Sequence, residues 1–235
     1  VFTRKFTAMP LSFQKLTLSG MFSDNVTQVL QKLGYRLGKC IGEGSYCKVR
    51  VTERLLPDNS LQKLACKVIS RKKASLDFVN KFLPRELALI KDLSHPNIVK
   101  IEKILEIGDG VYIFMELGEK GDLLDYVKNK GPLQETRAQL YFSQLISAVR
   151  YLHTQDISHR DLKCENVLIF SDNTVKLTDF GFARKCIDAE SRKRILSQTY
   201  CGSAAYAAPE ILQGIPYNPK MYDVWSLGCI LYIML

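Results

Sequence analysis

The sequence predicts an α+β protein, with a small strand-rich lobe over residues 35–117, a hinge at 118–122 and a mainly helical lobe over 123–235. Three observations predict it. Runs with strand character, punctuated by glycine turns, fill the first stretch. Gly118-Glu119-Lys120-Gly121-Asp122 then interrupts the pattern. Beyond it, apolar residues recur at helical spacing.

With 235 residues and 46% hydrophobic content the chain can bury a core, and its 24% charged share is that of a folded chain. The net charge is +9, but the basic residues are scattered, without an aromatic–basic stripe or finger spacing, which argues against a nucleic-acid partner. Cysteines 40, 47, 66, 164, 186, 201 and 229 show no C-x-x-C spacing. That disfavours zinc and a disulfide framework and points to a cytoplasmic location, with the nucleus as the other reducing compartment. No signal peptide opens the chain, and a first residue other than Met suggests an incomplete N-terminus. The longest apolar run, Leu227 to Leu235, falls short of the roughly 20 residues a membrane span needs. It reads as a buried core helix cut by the chain end, and no membrane partner is expected.

Residues 1–34 carry no motif and are assigned no function, although Asp24 to Leu33 suits a short helix capped by Asp24. Tyr35 to Ile41 alternates and leads into Gly42-Glu43-Gly44-Ser45-Tyr46-Cys47-Lys48-Val49. This reads as two strands joined by a glycine-rich turn, whose N–H groups can approach phosphate oxygens with no Cβ in the way. Leu61 to Ile69 is a further strand, and its Lys67 is costly among apolar neighbours unless paired. The candidate partner is Glu86, on a helix expected over Phe78–Leu93. Ser94-His95-Pro96-Asn97 ends that helix, and strands at Ile98–Ile107 and Val111–Leu117 flank a turn at Gly108-Asp109-Gly110. Past the hinge, helices are expected over Leu123–Asn129 and Glu135–Thr154. The longer one would turn Leu140, Phe142, Leu145, Ile146, Val149 and Leu152 inward.

The densest chemistry is His159-Arg160-Asp161-Leu162-Lys163-Cys164-Glu165-Asn166, where a carboxylate, an amine and an amide stand close together. Val167 to Phe170, a turn at Ser171-Asp172-Asn173 and Val175 to Leu177 follow, a loop feeding a short buried hairpin. Asp179-Phe180-Gly181 adds a carboxylate on a turn, and Ala208-Pro209-Glu210 comes after. In this order the motifs resemble the protein-kinase signature, and Ala65-Cys66-Lys67 stands where that signature carries its strand lysine.

The resemblance implies a bilobal kinase fold and phosphoryl transfer from ATP with Mg²⁺. Asp161 would orient the attacking hydroxyl as base, Lys163 would reach the moving phosphoryl, and Asn166 and Asp179 would hold magnesium. Lys67, paired with Glu86, would contact the α and β phosphates. Ile41, Gly42, Glu43, Gly44, Ser45, Tyr46, Cys47, Lys48 and Val49 would cover the nucleotide. The adenine would lie between Val49 and Ala65 above and Leu168 below, with backbone of Glu116 and Leu117 at its edge, Met115 as gatekeeper and Asp122 at the ribose. Cys47 replaces the third glycine of the pattern, which adds bulk near the phosphates and should lower ATP affinity. Asp179 to Glu210 would be the activation segment, in which phosphate placed on Thr199 by an upstream kinase would bridge Arg160 and Arg184. A hydrolytic pair of aspartates is the rival chemistry, and it leaves the glycine loop, Lys67 and Asn166 without a role.

The surroundings narrow the resemblance. Arg71-Lys72-Lys73-Ala74, Lys81-Phe82-Leu83-Pro84-Arg85-Glu86, Asp161-Leu162-Lys163-Cys164, Gly202 to Glu210 and Leu212 to Tyr217 are similar to the testis-specific serine/threonine kinase family. That family belongs to the calmodulin-dependent-kinase-like group. The likeness implies protein substrates phosphorylated on Ser or Thr, a basic-directed preference read by Glu165, and a role in spermatogenesis. It also implies C-terminal truncation: the arginine partner of Glu210 would lie beyond the chain end, and the Val224–Leu235 helix would expose apolar faces. Poor folding or aggregation of the chain is therefore expected. The alternatives are a catalytically inactive fragment or pseudokinase-type scaffold and, from charge alone, a nucleic-acid binder.

Overall fold

The computed structural model describes residues 13–16, 25–188, 190–198 and 201–235. They form two compact units: the described residues up to 75 with 101–117, and 76–100 with the described residues from 118 onward.

The first unit is a six-stranded sheet with helix α1 (Asn25–Lys32) packed on one face. Its strands are β1 (Phe13–Leu16), β2 (Tyr35–Glu43), β3 (Cys47–Leu55), β4 (Leu61–Ser70), and two from the later stretch, β5 (Ile101–Ile107) and β6 (Gly110–Glu116). They run in the order β1-β5-β6-β4-β3-β2, antiparallel except for the parallel pairing of β1 with β5. Period-two alternation sorts the side chains. Leu64, Cys66, Leu105, Ile107, Tyr112 and Phe114 share one face and close a core with Leu30 of α1 and Tyr35. Tyr35 stacks on Phe114 with ring centroids 4.0 Å apart. Residues 25–34 are thus built into this core, and Asp24, the expected cap, lies outside the described residues. Strand β5 begins at Ile101 rather than at the expected Ile98, because Val99 N–H donates to Leu177 O and Asn97 O accepts from Leu177 N–H, which bridges Ile98 to the second unit's own Leu177 instead.

The second unit starts with a single π-helical turn, Phe78–Phe82, that runs into α2 (Leu83–Asp92), with Pro84 in its first turn. Residues 76–100 group here rather than with the strand-rich part, and the hydrogen bonds say why. Ser94 N–H donates to the Tyr151 hydroxyl at 2.9 Å, and the Asn97 amide reaches Val175 O at 3.0 Å and Gln144 Oε1 at 2.9 Å. Helix α3 (Leu123–Lys130) and helix α4 (Glu135–Thr154) follow, and then the short strands β7 (Ile157–Ser158), β8 (Val167–Ile169), β9 (Val175–Leu177) and β10 (Arg184–Lys185). β8 pairs with β9, and β10 with β7. The short α5 (Pro209–Leu212) precedes α6 (Pro219–Met234).

Helix α4 runs over the expected residues but faces differently. Ala138, Tyr141, Leu145, Ala148, Val149 and Leu152 are buried, whereas Leu140 and Ile146 are 46% and 45% exposed. At about 100° per residue those two fall more than about 100° from the centre of the buried face, so angle rather than apolar content decides. Helix α6 is likewise two-sided. Tyr222, Asp223, Ser226, Leu227, Ile230 and Met234 are buried at i, i+4 spacing, while Trp225 and Tyr232 on the other side are 47% and 86% exposed. The latter border a groove of about 340 Å³ with Ala205, Gly228, Cys229 and Ile233, so one face is in the core, as expected of a core helix, and the other exposes apolar residues, as also expected over Val224–Leu235.

Candidate active site

The nucleotide-side candidates of the first unit lie on the hairpin β2–β3 and the face of the sheet opposite α1. Val49 stands opposite Lys67, Lys67 opposite Ile113, and Ala65 opposite both Val51 and Met115. Opposed and alternate residues point the same way, so Val49, Ala65, Lys67 and Met115 share one face. Gly42 pairs with Val49 and Glu43 with Lys48, and Gly44 N–H closes the turn on Cys47 O at 2.9 Å. Ile41, Glu43, Ser45, Tyr46 and Lys48 are exposed, and Lys48 pairs with Glu43 at 3.0 Å. Cys47 sits over the glycine: a Cβ on Gly44 would lie 3.1 Å from its Sγ. Glu116 and Leu117 end the sheet, half-buried.

In the second unit, the loop 159–166 is hung from one carboxylate. Asp223, 1% exposed on α6, accepts from His159 N–H at 3.0 Å and Arg160 N–H at 2.9 Å, and its Oδ2 lies 2.8 Å from His153 Nε2. A buried carboxylate needs this many donors. Arg160 is held at φ 64°, a conformation that costs a non-glycine residue on the order of 1 kcal/mol or more and that these bonds over-determine. His159 Nδ1 accepts from Asp161 N–H at 3.3 Å, which places the ring proton on Nε2, facing Thr178 O at 3.1 Å. Gly202, at φ 87°, closes the loop from the other side. A Cβ there would meet Arg160 O at 2.7 Å and the Tyr222 hydroxyl at 2.6 Å, so no other residue fits.

Asp161 is 3% exposed, and its two oxygens differ. Oδ2 lies 2.9 Å from Lys163 Nζ and 3.1 Å from Asn166 Nδ2, which also donates to Asp161 O at 2.8 Å. Oδ1 is buried and has no hydrogen-bond partner among the described residues. Lys163 also donates to Ser203 Oγ at 3.2 Å. Asp179, exposed at φ 61°, and the buried Glu86 both approach Gly181: a Cβ there would lie 3.5 Å from Asp179 Oδ1 and 3.6 Å from Glu86 Oε2. Leu168, on β8, is half-buried. Asp122 has a structural role, since its Oδ1 accepts from Asp125 N–H at 2.9 Å and caps α3.

Arg160, the expected partner of a phosphate, is already engaged through its side chain. Its Nε donates to Phe182 O at 2.8 Å and its Nη1 to Ser197 Oγ at 3.0 Å, so neutral oxygens engage it. Thr199, the expected phosphate carrier, lies outside the described residues. Arg184, half-buried, has its pKa held below the ordinary arginine value by burial first and then by the charges of Arg160 and Arg85. Sequence reasoning missed Arg85, which adjoins Glu86 on α2. It also missed Tyr206, whose hydroxyl accepts from Cys164 N–H at 3.2 Å and donates to Glu165 Oε2 at 3.3 Å. Asp223 was missed too, because its distance from the loop it holds, over 60 residues, leaves no local signal.

Residues 35–235 match the protein kinase domain family, and the chain belongs to it. Within that family it is similar to the testis-specific serine/threonine kinases. It is 55% identical to testis-specific serine/threonine-protein kinase 1 of Mus musculus, over 88% of this chain and 56% of the relative. The figures for kinase 2 of that organism are 53%, 88% and 57%, and for kinase 3 they are 50%, 86% and 73%. The chain thus spans little more than half the length of the first two relatives.

Proposed function

We propose that the protein is an ATP- and Mg²⁺-dependent serine/threonine kinase acting on protein hydroxyls, with Asp161 as the base. The observation that carries this reading is Asp161 Oδ1, a buried carboxylate oxygen with no partner among the described residues, beside an Oδ2 held by Lys163 and Asn166. An oxygen left so is costly unless a donor arrives, and a substrate hydroxyl is that donor. The residues of the second unit suit magnesium, since the side chains of Asn166 and Asp179 carry the hard oxygens it takes, and the glycines of the hairpin at Gly42–Gly44 would let a phosphate approach the backbone of the first unit. When bound, Mg·ATP supplies the phosphoryl group and neutralises its charge. Lys67 would face the nucleotide phosphates, Lys163 would steady the transferred group, and Ser203 would hold Lys163.

Regulation is proposed at the arginine cluster. A phosphate on Thr199, placed by an upstream kinase, would meet Arg160, Arg184 and Arg85 and relieve the mutual repulsion that burial sharpens. Glu165, exposed and steadied by Tyr206, would read basic side chains of the substrate. Action in the cytoplasm or nucleus is proposed with it, and the name 'testis-specific' of the relatives is the ground for proposing a role in spermatogenesis. Among the described residues no helix is long and apolar enough to cross a membrane.

The test is radiolabel transfer from Mg·ATP to matched Ser, Thr and Tyr peptides with basic residues upstream. Transfer to Ser and Thr and not Tyr is expected. Transfer to none would leave a scaffold reading in its place.

A further inference from the structure

Ser197 is among the most deeply buried polar residues of the second unit, and nothing in the reaction described above uses it. It is 0% exposed, in a segment whose neighbours Leu196 and Gln198 are exposed. Its backbone is fixed twice, since Ser197 N–H donates to Tyr217 O and Tyr217 N–H to Ser197 O, each at 2.9 Å. Its side chain is fixed as well. Oγ accepts from Arg160 Nη1 at 3.0 Å, and the Tyr217 phenol lies against the same hydroxyl. Tyr217 Oη is 3.8 Å from Cys201 Sγ, and Tyr222 donates to Cys201 O at 3.3 Å, so the limb after Ser197 is tied to the base of α6. Arg160 is itself held through its N–H by Asp223.

From this geometry we infer that Ser197 is a positioning residue: its hydroxyl latches the activation segment onto Arg160, so that the segment is docked before any phosphate reaches it. The limb so placed carries Ser203, which holds Lys163 beside Asp161. The latch therefore acts on turnover through Lys163 and not through the nucleotide residues of the sheet. A neutral hydroxyl suffices because the guanidinium supplies the charge for a charge-assisted bond. A phosphate arriving later at the arginine cluster would tighten a segment already in place, so the unphosphorylated protein keeps basal activity.

What the latch does to turnover rests on the kinase reading, but its existence does not. The test compares Ser197→Ala with Ser197→Thr, which keeps a hydroxyl, by amide hydrogen exchange at Ser197 and Tyr217 and by peptide kinetics. Losing a bond to a charged donor should speed exchange in Ser197→Ala by roughly 10- to 100-fold. The kcat for peptide should fall by about tenfold with the KM for ATP unchanged, and Ser197→Thr should restore both. Exchange in Ser197→Ala within about twofold of the parent overturns the latch. Faster exchange with unchanged kcat overturns the positioning role. Absence of transfer by the parent protein overturns the kinase reading alone, and exchange still decides the latch.

Discussion

Replacing Asp223 with Asn changes one atom and should unfasten the loop 159–166. The carboxylate serves three partners, His159 N–H at 3.0 Å, Arg160 N–H at 2.9 Å and His153 Nε2 at 2.8 Å. An amide keeps one accepting oxygen and turns an NH₂ group toward at least one of these donors. Hydrogen bonds to a charged group contribute about 1.5–3 kcal/mol each, so losing two of them with no change of volume costs about 3–5 kcal/mol. For a unit of this size each kcal/mol lowers Tm by about 2–4 °C, which predicts a fall of about 6–20 °C. Activity should drop further than stability alone requires, because a displacement of about 1 Å at reacting groups costs about a hundredfold. Thermal melts followed by circular dichroism, with exchange at the His159 and Arg160 amides, read both effects. A Tm within about 2 °C of the parent and unchanged exchange at those amides would refute the claim that one carboxylate organises the loop.

Thr52 is fully buried in the sheet with its hydroxyl unpartnered among the described residues, so Thr52→Val should raise Tm, by about 1–2 kcal/mol in stability; a fall would mean the hydroxyl is satisfied. Leu30→Ala, in the helix that lies before the family match, should cost about 2–4 kcal/mol in chemical denaturation, and a neutral result would detach α1 from the core. Cys47→Gly removes the thiol packed over Gly44 and should lower the KM for ATP several-fold, an outcome steady-state kinetics can deny. Burial pushes the Cys66 thiol up to about 12 from its ordinary value. A raised folded value means stability is full below the unfolded value near 9 and is lost as pH rises above it, by about 1 kcal/mol per pH unit. Melts between pH 8 and 11 should show a slope of that sign, to which buried Cys164 and Cys186 also contribute, and Cys66→Ala should reduce it by the Cys66 share.

Much of the site was legible because its chemistry is local. The stretch 159–166, Asp179-Phe180-Gly181 and the glycine hairpin each put their functional groups within a few residues, and loop or turn context follows from flanking apolar runs. Helix α4 was legible end to end for the same reason, yet its inner face was misread at Leu140 and Ile146, where apolar type and angular position disagree. What stayed hidden joins distant segments. Asp223 reaches the loop from over 60 residues away, Ser197 meets Arg160 from 37 residues away and Tyr206 meets Glu165 from 41, and no periodicity encodes such pairs. Helix α1 was foreseen as a helix but not as part of the sheet's core, since its partners Tyr112 and Phe114 come much later in the chain.

The central claim, that Asp161 receives the substrate hydroxyl, is tested most directly by Asp161→Asn. Phosphate transfer in a single turnover should be measured beside Mg·ATP binding on the same protein. The account predicts binding retained and transfer reduced by about 10²- to 10⁴-fold, the share a positioned base supplies. Transfer within about tenfold of the parent, with binding intact, would contradict it.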